Sequence, residues 1–126
     1  MGEGCGGSVS AGVTPAAAEQ LRRARARIAT PERWTQGTLV RLREAPSHPR
    51  AIWCDGACLC VDGALLFALD GMRGGGASLC LSLAARARGF ETASKMNDHP
   101  STTHADVLAL LDEAIALAES LAQEPS

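Results

Sequence analysis

Four aromatic side chains, Trp34, Trp53, Phe67 and Phe90, are all that a chain of 126 residues offers for filling its interior, and there is no tyrosine. A core so poor in rings has to be aliphatic, built from the Leu, Ala, Val and Ile that dominate the apolar fraction. Ala and Leu favour helices, and the β-branched residues suited to strands are scarce, which sets the chain against an all-β fold. At 13.1 kDa it is the size of one domain. The expected fold class is all-α, a single compact bundle of about five helices. No apolar run reaches the roughly 18 residues needed to cross a bilayer, so no membrane partner is expected.

Residues 1–13 are rich in Gly and Ser and are read as a disordered leader. The helical domain is expected over 14–122, with a short tail at 123–126. Thr14 is a good N-cap, and Pro15 suits a first helical position, where its missing N–H is not needed. Leu21, Ala24 and Ile28 then recur at spacings of three and four, giving a helix over 15–29 that ends before Thr30-Pro31. Pro31 can open a short helical turn, and 41–50, with Pro46, Ser47, His48 and Pro49, reads as a loop.

The most apolar segment is 51–69. Ile52, Trp53, Cys54, Ala57, Cys58, Val61, Ala64, Leu65 and Ala68 fit one broad face of a buried helix. Gly56 and Gly63, seven apart, lie near one side of that helix, where a neighbouring backbone can come close. A buried β-hairpin is the competing reading. A further helix is expected over 77–88, with Leu79, Leu83 and Ala87 inward and Gly89 just past its end. Residues 90–101 read as a loop, because Asn97, Asp98, His99 and Pro100 are turn formers. Thr103 and Asp106 resemble a capping box for a last helix running to 122, with Val107, Leu108, Leu111, Ile115, Ala118 and Leu121 on its buried stripe.

Charge is unevenly placed along a chain of net charge −2. Residues 21–50 carry Arg22, Arg23, Arg25, Arg27, Arg33, Arg41, Arg43 and Arg50 against Glu32 and Glu44. Residues 104–126 carry Asp106, Asp112, Glu113, Glu119 and Glu124 and no Lys or Arg. Mutual attraction of the first and last helices accounts for this, so a nucleic-acid partner is not expected.

The five cysteines, Cys5, Cys54, Cys58, Cys60 and Cys80, are an odd number for a disulfide framework. No signal-peptide pattern is visible at the N-terminus, and a reducing cytoplasm is the expected location. Cys54, Cys58 and Cys60 form C-x3-C-x-C. With His48, His99 or His104 they could complete a zinc site, but no second Cys/His pair has ligand spacing. Packing as small apolar side chains is the favoured reading, and no metal or cofactor is expected. The run Gly74-Gly75-Gly76 is not a phosphate loop, since Lys95 is the one lysine and lies outside any such context.

The densest polar cluster is Asn97, Asp98, His99 and His104. A catalytic reading makes His104 a general base oriented by Asp98, with Cys60 or a threonine hydroxyl as nucleophile. The structural reading has Asn97 and Asp98 satisfying loop amides and His104 held neutral at a helix N-terminus, and it is preferred. Trp34, Gln36 and Trp53 are read as core anchors and their contacts. The alternative is a small-molecule cleft walled by Trp34 and Trp53, with Gln36 and Asn97 as polar contacts.

Three stretches together carry a family resemblance. They are Trp34-Thr35-Gln36-Gly37, as W-x-Q-G; Cys60-Val61-Asp62-Gly63-Ala64-Leu65, as C-x-x-G-A-L; and Asn97-Asp98 followed by Thr103-His104-Ala105-Asp106-Val107-Leu108-Ala109-Leu110-Leu111-Asp112. Over about residues 18–120 the chain resembles a family of small proteins of bacteria and their phages known only as a domain of unknown function. It departs from that pattern at Lys95-Met96, where members tend to carry an aromatic, and at the Gly74–Gly76 insertion. The resemblance implies a small, mostly helical domain without an established activity. The expected function is a non-enzymatic interaction module for another protein, presenting a helix face or the Trp34/Asn97 region. It could serve as a phage or mobile-element modulator of host machinery. The candidate binding residues are Trp34, Gln36, Trp53, Asn97, Asp98 and His104. The alternatives are a small-molecule-binding domain or small enzyme built on Asn97, Asp98 and His104, and a zinc-stabilised module built on Cys54, Cys58 and Cys60.

Overall fold

Helix α1 (Pro15–Arg27) has proline in its first turn and stops as the chain nears Thr30-Pro31, as the spacing of these residues dictates. The computed structural model describes residues 13–42, 57–69 and 76–123. Within them, α1 is followed by a 3-10 turn (Pro31–Arg33), strands β1 (Val40–Arg41) and β2 (Cys58–Leu59), and helices α2 (Val61–Leu69), α3 (Ala77–Ala87), α4 (Ala93–Asp98) and α5 (His104–Gln123). The fold is helical, with one small addition: β1 and β2 pair antiparallel, Val40 opposite Leu59 and Arg41 opposite Cys58. Most of the leader, with Cys5, and His48, Trp53, Cys54, Gly56, Gly74 and Gly75 lie outside the described residues.

Helix α1 packs against α5, α2 and α3, and α3 also packs on α5. Leu21 and Ile28 of the α1 region meet a core that includes Leu59, Val61, Leu81, Met96, Val107, Leu110 and Leu111, all fully buried or nearly so. Each such side chain contributes roughly 2 kcal/mol on burial. Val13, at the edge of the expected leader, is buried in the same core. The interior is aliphatic, and Trp34, Phe67 and Phe90 sit half-buried at its margin. The charge asymmetry resolves as attraction across the α1–α5 interface. Arg22 pairs with Glu119, and Arg25 Nε lies 2.7 Å from Asp112 Oδ1. Exposed pairs contribute about 1 kcal/mol at most, so they orient the two helices while apolar burial holds them together.

Three expectations need correction. Residues 51–69 are not one helix: α2 covers only Val61–Leu69, and Cys58 and Leu59 are extended. The extended backbone is held on both sides. Leu59 pairs with Val40 on one edge and bridges in parallel to Trp34 on the other, with Thr35 N donating to Leu59 O at 3.1 Å. Residues 90–101 are not all loop, because Ala93–Asp98 forms α4. Its start is the Thr92 hydroxyl accepting from Lys95 N, and it ends just ahead of His99-Pro100. The turn formers at 97–100 mark its C-terminal end. The inward face of α3 is Ala77, Cys80, Leu81, Ala84 and Ala85, whereas Leu79 and Ala87 are exposed and Leu83 is half-buried. Two other sequence expectations describe the chain well. Gly89 is left-handed (φ 92°) past the end of α3, with Phe90 N bonded to Ala85 O and Gly89 N to Arg86 O, a Schellman ending. Thr103 and Asp106 bond reciprocally at 3.0 and 3.1 Å, the capping box of α5.

Gly63 is where a second backbone comes close. A Cβ built on it would lie 2.4 Å from the Leu39 carbonyl oxygen, and that carbonyl already accepts from Cys60 N at 3.2 Å. An ordinary glycine-to-alanine change inside a helix stabilises by about 1 kcal/mol. Gly63→Ala should do the opposite and destabilise by about 2 kcal/mol or more, because neither backbone can move aside cheaply. Urea denaturation of the two proteins measures this. An equal or higher midpoint for the alanine variant would contradict the close approach.

Candidate functional site

Where α2 begins, its free N–H groups need partners. Cys60 supplies one of them: its carbonyl accepts from Ala64 N at 2.9 Å, and its Sγ accepts from Gly63 N at 3.3 Å. Those are the two contacts an N-cap serine makes, here made by a thiol. The Val61 amide donates instead to Asn97 Oδ1, 3.0 Å away and 36 residues further along the chain. Asn97 is completely buried near the end of α4.

Asn97 is the centre of the polar cluster. Its Oδ1 also accepts from Trp34 Nε1 at 2.7 Å, and its Nδ2 donates to Thr35 O at 3.1 Å and to Asp98 Oδ1 at 2.9 Å. The carboxamide therefore makes all four hydrogen bonds open to it. Gln36 approaches from the same strip of chain. Its Nε2 donates to Asn97 O at 2.8 Å and His99 O at 3.1 Å, with Thr102 O at 3.5 Å. Gly37, left-handed at φ 82°, directs its N–H to Asp98 Oδ1 at 2.8 Å. A residue with a side chain is disfavoured in that conformation.

His104, in the first turn of α5, places Nε2 2.7 Å from the Ile28 carbonyl, so that nitrogen carries the hydrogen. Its ring is tilted against Trp34 with centroids 5.8 Å apart. His99 Nδ1 accepts from Ser101 N at 3.1 Å and its ring meets Phe90 edge-on. Of the candidate residues, the structure brings together Trp34, Gln36, Asn97, Asp98 and His104; Trp53 lies outside the described residues. The junction also uses Thr35 and Val61, which sequence reasoning did not assign to it and which contribute backbone groups. Cys60, the nucleophile of the catalytic reading, is present as the cap of α2, and the sequence signal for that role is a polar-capable residue three positions before a helical Gly63.

The chemistry of the junction follows from these bonds. Burial pushes the Cys60 thiol pKa up, with the nearby Asp62 and Asp98 carboxylates adding to the rise, while the Gly63 and Asp62 backbone amides oppose it. A protonated, 5% exposed thiol is a cap and a packing group, and a poor nucleophile. Asp62, in the first turn of α2, has its pKa raised by burial and then by Asp98, partly offset by a hydrogen bond from Ser94 of α4. Among the described residues no group of three His, Cys, Asp or Glu side chains is arranged to hold a metal ion. Cys58 Sγ is turned toward the Glu32 carbonyl, 2.9 Å away. No helix among the described residues is long and apolar enough to cross a membrane.

A family model described as a family of unknown function, DUF6197, matches residues 13–117. The chain belongs to the DUF6197 family. The matched span starts at buried Val13 and takes in the whole junction. No curated protein and no solved structure matches the chain.

Two predictions come from this junction in the DUF6197 protein. Asn97→Ala leaves the Trp34 indole N–H, the Val61 amide and the Thr35 carbonyl without their partner in a buried place. The expected cost is about 3 kcal/mol or more in chemical denaturation, accompanied by a shift in tryptophan emission. A loss below 1 kcal/mol would show that the amide is replaceable. The second concerns Asp62. Its folded-state pKa is raised, so the native state holds the proton more tightly than the unfolded chain. Its contribution is fully present below the ordinary carboxylate range and is lost as pH rises through the folded-state pKa. Melting curves at pH 4.5 and 7.5 should therefore show Asp62→Asn gaining on the parent as pH rises. A difference independent of pH would refute the shift.

Proposed function

We propose that this DUF6197 member is a non-enzymatic interaction module of the bacterial or phage cytoplasm that docks on another protein through the outer face of α3. In this reading the partner is a component of host machinery and the chain is its modulator. The observation that carries the proposal is the way α3 is turned. It buries a row of mostly small residues, Ala77, Cys80, Ala84 and Ala85, around one large one, Leu81, and leaves Leu79 43% exposed with Leu83 half-buried one turn on. Residues four apart lie on one helical face, so the two leucines form an apolar ridge. Exposed Arg86 extends that face by a further turn and favours a partner surface that combines an apolar groove with an acidic edge.

Two further features support a protein partner. Polar atoms of the densest cluster are engaged in joining 34–37 to α4, α4 to the start of α2, and the start of α5 to the end of α1. Arg22 and Arg25 are matched by acids of α5, which reduces the positive face available to a nucleic acid.

Co-purification from a bacterial lysate, followed by cross-linking to locate the contact, tests the reading with the full chain and a Leu79→Glu variant. Leu79→Glu should melt within a few degrees of the parent and reduce recovery of the cross-linked partner at least tenfold. Undiminished recovery would overturn the α3 surface. A partner or ligand lost on Asp98→Asn with melting unchanged, yet retained by Leu79→Glu, would move the function to the polar junction.

A further inference from the structure

We draw no further inference here: the strongest candidate, the acidic pair Asp62 and Asp98 beside Cys60 where the start of α2 meets α4, belongs to the polar junction already described, and no second observation there points to a ligand.

Discussion

A primary carboxamide offers two hydrogens and two lone pairs, and Asn97 uses all four inside the protein, on groups from three separate stretches of chain. Trp34 and Thr35 come from the segment after α1, Val61 is the first residue of α2, and Asp98 closes α4. Each bond alone is worth about 1 kcal/mol net. Their value lies in what they replace, since the Val61 amide and the Thr35 carbonyl would otherwise be buried polar groups with no access to water. One amide therefore fixes how the extended strip, α2 and α4 sit relative to one another. Gln36, reaching the carbonyls of Asn97 and His99, repeats the arrangement one residue on. His104, bonded to the Ile28 carbonyl, adds the start of α5 and the end of α1.

The helices themselves are held by ordinary burial, and the junction decides their arrangement. An interior made of Ala, Leu and Val has few bulky shapes to key one helix against another, so many registers would bury similar area. Directional bonds discriminate where aliphatic packing does not. Gly63 works to the same end. Only a residue without a side chain lets the Leu39 carbonyl approach the first turn of α2, and that carbonyl also receives the Cys60 amide. The exposed pairs of Arg22 with Glu119 and Arg25 with Asp112 contribute orientation of a softer, salt-sensitive kind.

What could be read from the sequence was what is local. The Leu21, Ala24 and Ile28 stripe, the Thr103/Asp106 box, the Gly89 ending and the opposite charges of the first and last helices each depend on neighbours within a few residues, or on long-range charge alone. The start of α2 was hidden for two physical reasons. Cys60 is not among the usual capping residues, although its sulfur can accept an N–H. The other cap, Asn97, arrives from 36 positions away. Extended pairing of Cys58 and Leu59 likewise depends on Thr35 and Val40, which periodicity within 51–69 cannot register. Helix α4 was concealed by its own stop signal. On α3, ranking leucine above alanine selected the wrong face, because the close-packed side of that helix needs small residues. For the site, the polar residues were identifiable by type and density, while their mutual bonding was not.

The same facts bear on how function and fold divide the molecule. A catalytic centre leaves some polar atoms without internal partners, so that a substrate can take those places, and it tunes a nucleophile or base toward reactivity. Around Asn97 the side-chain bonds close on the protein itself, the Cys60 thiol is shifted away from ionisation, and His104 directs a ring hydrogen at a backbone carbonyl. Among the described residues, large apolar side chains remain open to water at Leu66 and Leu79. On α3, close helix contact is made by an inner face that is mostly alanine, and the larger Leu79 lies outside it.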